Sequence, residues 1–273
     1  MKRLSWFNVT SLTLGFAFLY LPMVILVIYS FNASKLVTVW AGFSTKWYGR
    51  LFQNEAFLDA AWVTIKVGLL SSCLATVLGT MAAYVLVRGG RFRGRVLFSG
   101  MIYAPLVMPE VITGLSLLLL FIGIGLDRGV LTIILAHTTF SMCYVSVVVS
   151  ARLVSFDRSL EEAALDLGCS SLEAFRLVTL PIIAPAVISG WLLAFTLSLD
   201  DLVIASFTAG PSATTLPIKI FSAVRLGVSP EINALSTLMI AVVTIGVISA
   251  SLMSKRASLR RHHEEQAAER GQE

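Results

Sequence analysis

Residues 152–181 read RLVSFDRSLEEAALDLGCSSLEAFRLVTLP, a charged stretch that lies between two long apolar segments. Ser159 is followed three residues later by Glu162, and this spacing is typical of a capping box, in which the two side chains satisfy free N–H groups at the start of a helix. Gly168 suits the left-handed conformation that ends many helices. The stretch therefore predicts a short helix that ends in a sharp turn.

A second helix is predicted directly after this turn. Ser170 and Glu173 repeat the capping-box spacing, and Pro181 is expected to end the helix that follows because proline lacks a backbone donor. Ala163 and Ala164 leave one side of the first helix without bulky side chains. Another surface could therefore approach that helix closely.

The composition of the whole chain is typical of a membrane protein. Its 273 residues are 56% hydrophobic and 14% charged, with a mean hydropathy of +0.84, whereas about a quarter of the residues of a soluble domain are charged. A bilayer core about 30 Å thick requires about 20 apolar residues per helix. Six stretches meet this requirement, so we expect an all-α integral membrane protein with six transmembrane helices, at 11–31, 58–87, 96–122, 129–151, 182–207 and 234–253.

Two of these spans have features of their own. The apolar run of the first span is about 20 residues long, longer than the 7–15 residues of a signal peptide, and no cleavage site follows it, so we expect it to be retained. Pro105 and Pro109 predict a kink in the third span.

The distribution of lysine and arginine predicts the orientation. Most basic residues fall in one set of connections, near the N-terminus and within 88–95, 152–176 and 254–273. The positive-inside rule places these segments, and with them both termini, in the cytoplasm. The net charge of +5 reflects this bias and does not indicate nucleic-acid binding.

Motifs for chemistry within the chain are absent from the sequence. There is no GxxxxGK[ST] loop to bind ATP phosphates, no HExxH motif, and no pattern of the three cysteines that indicates disulfides or a metal site. His137 is the one histidine outside the C-terminal tail, and the sequence shows no partner for it. We therefore expect no enzymatic activity, no catalytic residue and no metal site in this chain.

Four ionisable residues stand out inside the predicted spans: Lys66, Glu110, Asp200 and Asp201. A charge in the middle of a bilayer costs about 2.5–3.5 kcal/mol on insertion scales, so such residues usually line a cavity or form pairs. The three carboxylates and one lysine together carry a formal charge of about −2, which matches a diamine that is doubly protonated at neutral pH. We predict that they line a substrate pathway.

The same four charges could instead have structural roles. They could form salt bridges with one another and bind no ligand. Glu110 follows Pro109 and could lie in the first turn of a restarted helix, where a negative charge is favourable. Asp200 and Asp201 are adjacent, about 100° apart around a helix, so one could bind substrate while the other caps a broken helix or pairs with Lys66.

The charged loop resembles a known family. EAALDLG at 162–168, followed after nine residues by VTLP at 178–181, is similar to the EAA motif of binding-protein-dependent ABC transporter permeases, with Val178 where the family has isoleucine. The resemblance implies that the loop forms a cytoplasmic coupling helix that docks on an ATP-hydrolysing subunit through Glu162, Ala163, Ala164 and Gly168. The alternative is an ordinary capped surface helix.

Longer stretches resemble the permeases of putrescine and spermidine importers, above all the putrescine-type second permease subunit: 27–52, 103–121, 188–217 and 229–238. This similarity implies a type I ABC importer permease fold in the bacterial inner membrane. It also implies a second, similar permease subunit, two ABC ATPase subunits and a periplasmic polyamine-binding protein as partners. ATP and Mg²⁺ would bind to the ATPase subunits, so no cofactor is expected on this chain.

The predicted organisation has three parts. Residues 1–57 hold the first transmembrane helix and a periplasmic loop, 58–253 form the transmembrane permease domain with its coupling loop at 152–181, and 254–273 form a disordered cytoplasmic tail. We expect alternating access driven by ATP hydrolysis in the partner subunits. The rival hypotheses are an ABC permease for another small solute, an ion-coupled secondary transporter or channel, and a membrane enzyme.

Overall fold

The computed structural model describes residues 5–36, 39–227, 229–242 and 244–245. These residues form twelve α-helices and one π-helical segment, Phe175–Thr179. The helices in chain order are α1 (Trp6–Ser30), α2 (Lys46–Gln53), α3 (Glu55–Arg88), α4 (Arg95–Val107), α5 (Glu110–Gly123), α6 (Val130–Ser155), α7 (Ser159–Asp166), α8 (Ser171–Ala174), α9 (Leu180–Asp200), α10 (Val203–Thr208), α11 (Leu216–Leu226) and α12 (Pro230–Val242).

The chain divides into two compact units. One unit comprises the described residues of Met1–Asn54 and Ala223–Glu273, and the other is Glu55–Ser222. The predicted boundaries at residues 57 and 253 are not tested by this division and stay predictions. The predicted tail at 254–273 lies outside the described residues.

Four of the predicted spans are helices that are long and apolar enough to cross a bilayer: α1, α3, α6 and the continuous helix Ser171–Asp200. The third predicted span is a pair of helices, α4 and α5, which are bent by 119° where they meet. The predicted kink is therefore confirmed; the break falls at Met108 and Pro109, where proline removes a helical donor. Of the sixth predicted span, 234–253, the structure describes only the part in α12 and residues 244–245.

The prediction that Pro181 ends a helix is wrong. Pro181 lies in the first turn of α9, and the helix passes through it from Ser171 to Asp200. The π-helical turns of Phe175–Thr179 come directly before it. A π-helix bonds each N–H to the carbonyl five residues earlier, so the wider turn accommodates a proline that an uninterrupted α-helix tolerates poorly. The span instead breaks at Asp201 and Leu202, before α10 begins.

Helices α3, α6 and α9 form the core of the second unit. Their shared cluster consists of small and β-branched side chains together with one leucine: Ala75, Ala83, Val145, Val149, Leu153, Ile183 and Ala194. Gly79 of α3 lies so close to α6 that an added Cβ would stand 2.6 Å from the carbonyl oxygen of Met142. Small residues allow such close approach between helices in membranes.

The first unit contains α1, the loop that follows it, and α2. The apolar window of α1 has no residue that is buried among the described residues. The loop after α1 is organised by Asn32, whose side-chain oxygen accepts from the backbone N–H groups of Ser34 and Ala41 while its amide donates to the Val39 carbonyl. The indole N–H of Trp47 donates to the Asn32 carbonyl at 2.7 Å. This network fixes α2 against the loop.

Candidate functional site

The first helix of the charged loop, α7, begins at Ser159 but not by the predicted capping box. Arg158 already has helical dihedral angles, φ −64° and ψ −24°, which places Ser159 inside the helix. Oδ1 of Asp157 accepts the Ser159 backbone N–H at 3.0 Å, and this hydrogen bond holds the pKa of Asp157 below its usual range. Glu162 instead pairs with Arg158, with its Oε1 3.1 Å from Nε.

The end of α7 agrees with the prediction. Gly168 has a φ of +92°, and its N–H donates to the carbonyl of Leu165 at 2.9 Å. The N–H of Cys169 donates to the carbonyl of Ala164 at 3.1 Å. These two bonds define a Schellman motif, in which glycine adopts the left-handed conformation without the steric penalty of a Cβ.

The second predicted capping box is confirmed. Oγ of Ser170 accepts the backbone N–H of Glu173 at 3.4 Å, and Oε2 of Glu173 accepts the backbone N–H of Ser170 at 2.8 Å. Ser170 has extended dihedral angles, as an N-cap residue requires. The loop thus turns from α7, which ends at Asp166, into α8, which begins at Ser171.

The predicted coupling residues differ in exposure. Glu162, Ala163 and Gly168 are exposed, whereas Ala164 is 7% exposed and packs inside its own chain. Leu167 at the turn is a large apolar side chain that is 87% exposed among the described residues. The outer surface of α7 and its turn therefore offers apolar and acidic groups to another surface, while Ala164 holds the helix to the bundle.

Glu161 is a buried residue of the loop whose partners the sequence did not indicate. It precedes the EAA pattern, yet its side chain is only 11% exposed and its Oε2 lies 3.2 Å from Nε of Arg88. The hydroxyl of Thr179 donates to its Oε1 at 2.8 Å. Glu161 and Glu162 are adjacent and cannot be told apart in the sequence. Only the folded chain brings Glu161 to Arg88, 73 residues away, and to Thr179, 18 residues away.

The two adjacent aspartates also differ. Asp200 is the last residue of α9 and is exposed. Asp201 is 7% exposed at its side chain, and its Oδ1 accepts the backbone N–H of Ala205 in the first turn of α10 at 2.7 Å. The hypothesis that one of the pair caps a broken helix is confirmed for Asp201.

His137 has partners that the sequence did not reveal. Its Nδ1 lies 2.6 Å from Oγ of Ser198 and its Nε2 lies 3.4 Å from Oδ1 of Asp201. Oγ of Ser71 in turn donates to Oγ of Ser198 at 3.2 Å. A polar network that the sequence did not indicate therefore joins α3, α6 and the break after α9.

This network holds a serine, a histidine and an aspartate, the residue types of a hydrolase triad. Ser198 is 4% exposed, and its hydroxyl is engaged by both His137 and Ser71. A nucleophile must reach its substrate, and this hydroxyl is enclosed. The arrangement therefore suits packing of polar groups inside the bundle.

Lys66 and Glu110 lie apart from the network. Lys66 is exposed on α3, and Glu110 is the exposed first residue of α5. The alternative that Glu110 lies in the first turn of a restarted helix agrees with this position, and a negative charge is favoured there. Within the described ranges, ion pairs join Arg88 to Glu161 and Arg158 to Glu162, His137 contacts Asp201, and none of these contacts involves Lys66.

Similar proteins support the same architecture. The putrescine transport system permease protein PotI of Escherichia coli (strain K12) is 58% identical over 276 aligned residues, which cover 98% of each chain. The spermidine/putrescine transport system permease protein PotC of the same strain is 41% identical, over 89% of this chain and 92% of the relative. PotC of Haemophilus influenzae is 43% identical over 88% and 93%.

Solved structures with the same fold are permease-containing transporters. A bacterial ABC transporter involved in the import of the acidic polysaccharide alginate matches with a TM-score of 0.69 at 16% identity, over 90% of this chain and 94% of the other. The MetNI methionine ABC transporter in an inward-facing conformation matches with a TM-score of 0.59 at 16% identity, over 71% and 92%. At these identities the likeness shows the fold.

The family comparison gives the most direct assignment. Residues 75–262 match the family described as "Binding-protein-dependent transport system inner membrane component". This range includes the EAA-like loop, its Schellman turn, and His137, Ser198 and Asp201 of the buried network. The chain therefore belongs to the binding-protein-dependent transport system inner membrane components, the permease family of type I ABC importers.

Proposed function

We propose that this chain is the permease subunit of an ATP-driven importer that conducts polyamines, putrescine above all, across the bacterial inner membrane. One observation carries the proposal: 58% identity with a putrescine transport system permease over 98% of both chains. A relative named for spermidine and putrescine transport is less similar, at 41%, which favours the diamine as substrate.

The acidic residues support a cationic substrate. Alkyl ammonium groups have a pKa near 10 and are charged at neutral pH. Asp200, exposed at the end of α9, and Glu110, exposed at the start of α5, are the carboxylates free to meet such groups. Asp201 acts chiefly by capping α10 at the break that separates it from α9. Lys66 stays a predicted pathway residue, whose positive charge reduces the net negative charge of the pathway.

The loop geometry supports ATP-driven coupling. Glu162, Ala163 and Gly168 face outward on a short helix with a rigid Schellman turn, and Ala164 fastens that helix to its own chain. In this proposal α7 docks on one of two separate ATPase subunits, where ATP and Mg²⁺ bind. A second permease subunit, a periplasmic polyamine-binding protein and the lipid bilayer complete the assembly, with both termini of this chain in the cytoplasm.

The decisive experiment is a subunit-omission assay. The chain is expressed with its partner permease, the ATPase subunits and the binding protein, and uptake of radiolabelled putrescine into proteoliposomes is measured with and without ATP on the cytoplasmic side. We expect uptake that requires ATP and every subunit. Competition with spermidine, lysine and a neutral sugar then defines the substrate class.

The rival hypotheses give different results in this assay. An ion-coupled carrier would transport putrescine through the purified chain alone under a proton or sodium gradient. A permease for another solute would show ATP hydrolysis in the full assembly that putrescine-loaded binding protein fails to stimulate. Either result would replace the proposed function.

A further inference from the structure

Helix α7 is held to the rest of its unit by few contacts. It has eight residues, and only two of them, Glu161 and Ala164, are buried. A helix this short is marginal by itself, so its position depends on these two side chains. Glu161, Arg88, Tyr84 and Phe175 also line a cavity of about 190 Å³, so apolar packing does not fill the space beside α7.

The Glu161 carboxylate connects α7 to residues of neighbouring elements beside this cavity. Its Oε2 lies 3.2 Å from Nε of Arg88, the last residue of α3, and its Oε1 accepts from the Thr179 hydroxyl at 2.8 Å. Nη2 of Arg88 also donates to the carbonyl of Phe156 at 3.1 Å, directly after α6. One ion pair thus links α7 with the ends of α3, α6 and the π-helical segment before α9.

Thr179 has an unusual arrangement for a helical threonine. Threonine hydroxyls within helices commonly bond to a carbonyl four residues earlier, as Thr196 and Thr208 do here. The Thr179 hydroxyl is fully buried and donates to Glu161 instead. The π-helical turns of Phe175–Thr179 place it there, and such turns are frequent at functional sites.

The helices that meet at Glu161 are those that carry the candidate pathway residues. Lys66 lies on α3 about 33 Å from Arg88, and Asp200 ends α9 about 32 Å from Thr179, at 1.5 Å per residue. Long helices move as rigid elements, so a displacement of α7 that is transmitted through Glu161 would reach both. A buried ion pair contributes little net stability but can specify one geometry.

We propose that Glu161, Arg88 and Thr179 form the joint that transmits movement of α7 to α3 and α9. They are positioning residues: their side chains are mostly or fully buried within this chain. Glu161 acts inside the chain, whereas the adjacent Glu162 acts on its outer surface. The inference rests on the proposed ATP-driven function and identifies the internal side of the same coupling.

The test compares two substitutions of one buried residue. Thr179→Val keeps the shape of the side chain and removes the hydroxyl, whereas Thr179→Ser keeps the hydroxyl. Glu161→Gln provides a second variant that keeps the size of the side chain and removes its charge. Arg176→Gln, which alters an exposed residue of the same π-helical segment, is the surface control.

Each variant is reconstituted in the complete transporter with its ATPase subunits and binding protein. ATP hydrolysis and putrescine uptake are measured in the same vesicles and normalised to assembled complex. We expect Thr179→Val and Glu161→Gln to lower putrescine imported per ATP hydrolysed by about tenfold, within the range of measured couplings between sites. Thr179→Ser and Arg176→Gln should keep the wild-type ratio.

Two results would overturn the inference. One is a wild-type ratio of uptake to hydrolysis in both Thr179→Val and Glu161→Gln. The other is a parallel loss of uptake, hydrolysis and assembled complex, which would show a purely structural role. A wild-type complex that imports no putrescine with ATP would instead refute the proposed function itself, so the two failures are distinguishable.

Discussion

Nε2 of His137 lies 3.4 Å from Oδ1 of Asp201. The same carboxylate oxygen accepts the backbone N–H of Ala205, so Asp201 contacts α6 and is hydrogen-bonded to α10. Asp200, one residue earlier, is exposed at the end of α9. The two adjacent carboxylates thus have different surroundings: Asp201 bonds to the backbone at the break in the helix, and Asp200 is exposed.

The first prediction tests this difference by single substitutions. Asp200→Asn should lower putrescine uptake by about 10- to 100-fold, because a hydrogen bond to a charged group contributes about 1.5–3 kcal/mol, while the assembled complex keeps its wild-type abundance. Uptake by proteoliposomes and the yield of purified complex measure the two effects. Wild-type uptake by Asp200→Asn would remove this residue from the pathway.

Asp201 should respond differently. Asp201→Asn keeps an oxygen that can accept from Ala205, whereas Asp201→Ala leaves that N–H without its partner. Loss of such a cap costs about 1 kcal/mol, so Asp201→Ala should lower the thermal stability of the complex more than Asp201→Asn does. Equal stabilities of the two variants would contradict the capping role.

The second prediction concerns the centre of the buried network. His137→Ala removes the imidazole that is hydrogen-bonded to Ser198 and in contact with Asp201, and the loss of a buried hydrogen bond costs about 0.5–1.5 kcal/mol. We expect a lower unfolding temperature of the detergent-solubilised complex. Thr139→Ala changes a half-buried residue of the same helix whose hydroxyl donates to the Leu135 carbonyl within that helix, and it serves as the control. A similar loss in both variants would argue against the network.

The local features of the loop could be predicted from the sequence. The Gly168 turn and the Ser170–Glu173 box depend on residues within six positions of one another, and both formed as predicted. The first box failed because Arg158 joined the helix and left Ser159 inside it. A stretch of chain can be capped at either of two neighbouring positions, and spacing alone does not choose between them.

The long-range features could not be predicted in this way. Arg88 and Glu161 are 73 residues apart, and His137 and Ser198 are 61 apart. The periodicity of apolar residues predicts single helices but not which helices pack together. Hydrogen bonds and ion pairs between different helices therefore cannot be predicted from it. The Pro181 prediction failed for a related reason: the π-helical segment before it has no recognised sequence signal.

The third prediction is a pH dependence at the start of α7. The backbone N–H of Ser159 stabilises the ionised carboxylate of Asp157, and its pKa is therefore lowered. A lowered pKa in the folded state means that the stabilisation is complete above the unfolded value of about 3.9 and is lost as pH falls through the folded value. Protection of the Ser159 amide in hydrogen exchange should follow this curve.

Asp157→Asn tests the cause of that dependence. Asparagine keeps an oxygen acceptor but does not titrate, and it is as good a cap as aspartate. We expect protection of the Ser159 amide to persist in this variant and to become independent of pH between about 5 and 2. A pH dependence equal to that of the wild type would assign the effect to another group.

The last prediction concerns the turn at the end of α7. Gly168 has a φ of +92° with open space around it, so Gly168→Ala causes no clash but forces a Cβ into the left-handed region, at a cost of about 1–2 kcal/mol. The Schellman bonds from Gly168 and Cys169 should weaken, which would allow α7 to lengthen or tilt. We expect ATP-driven putrescine uptake to fall in this variant while the thermal stability of the complex changes little, because the turn lies outside the helical core.

Gly100→Ala is the control for this prediction. It changes a position in α4 that also has open space but an ordinary φ, and it should leave uptake unchanged, since alanine is favoured over glycine within a helix. Equal uptake by the two variants would show that the conformation of the turn does not contribute to coupling.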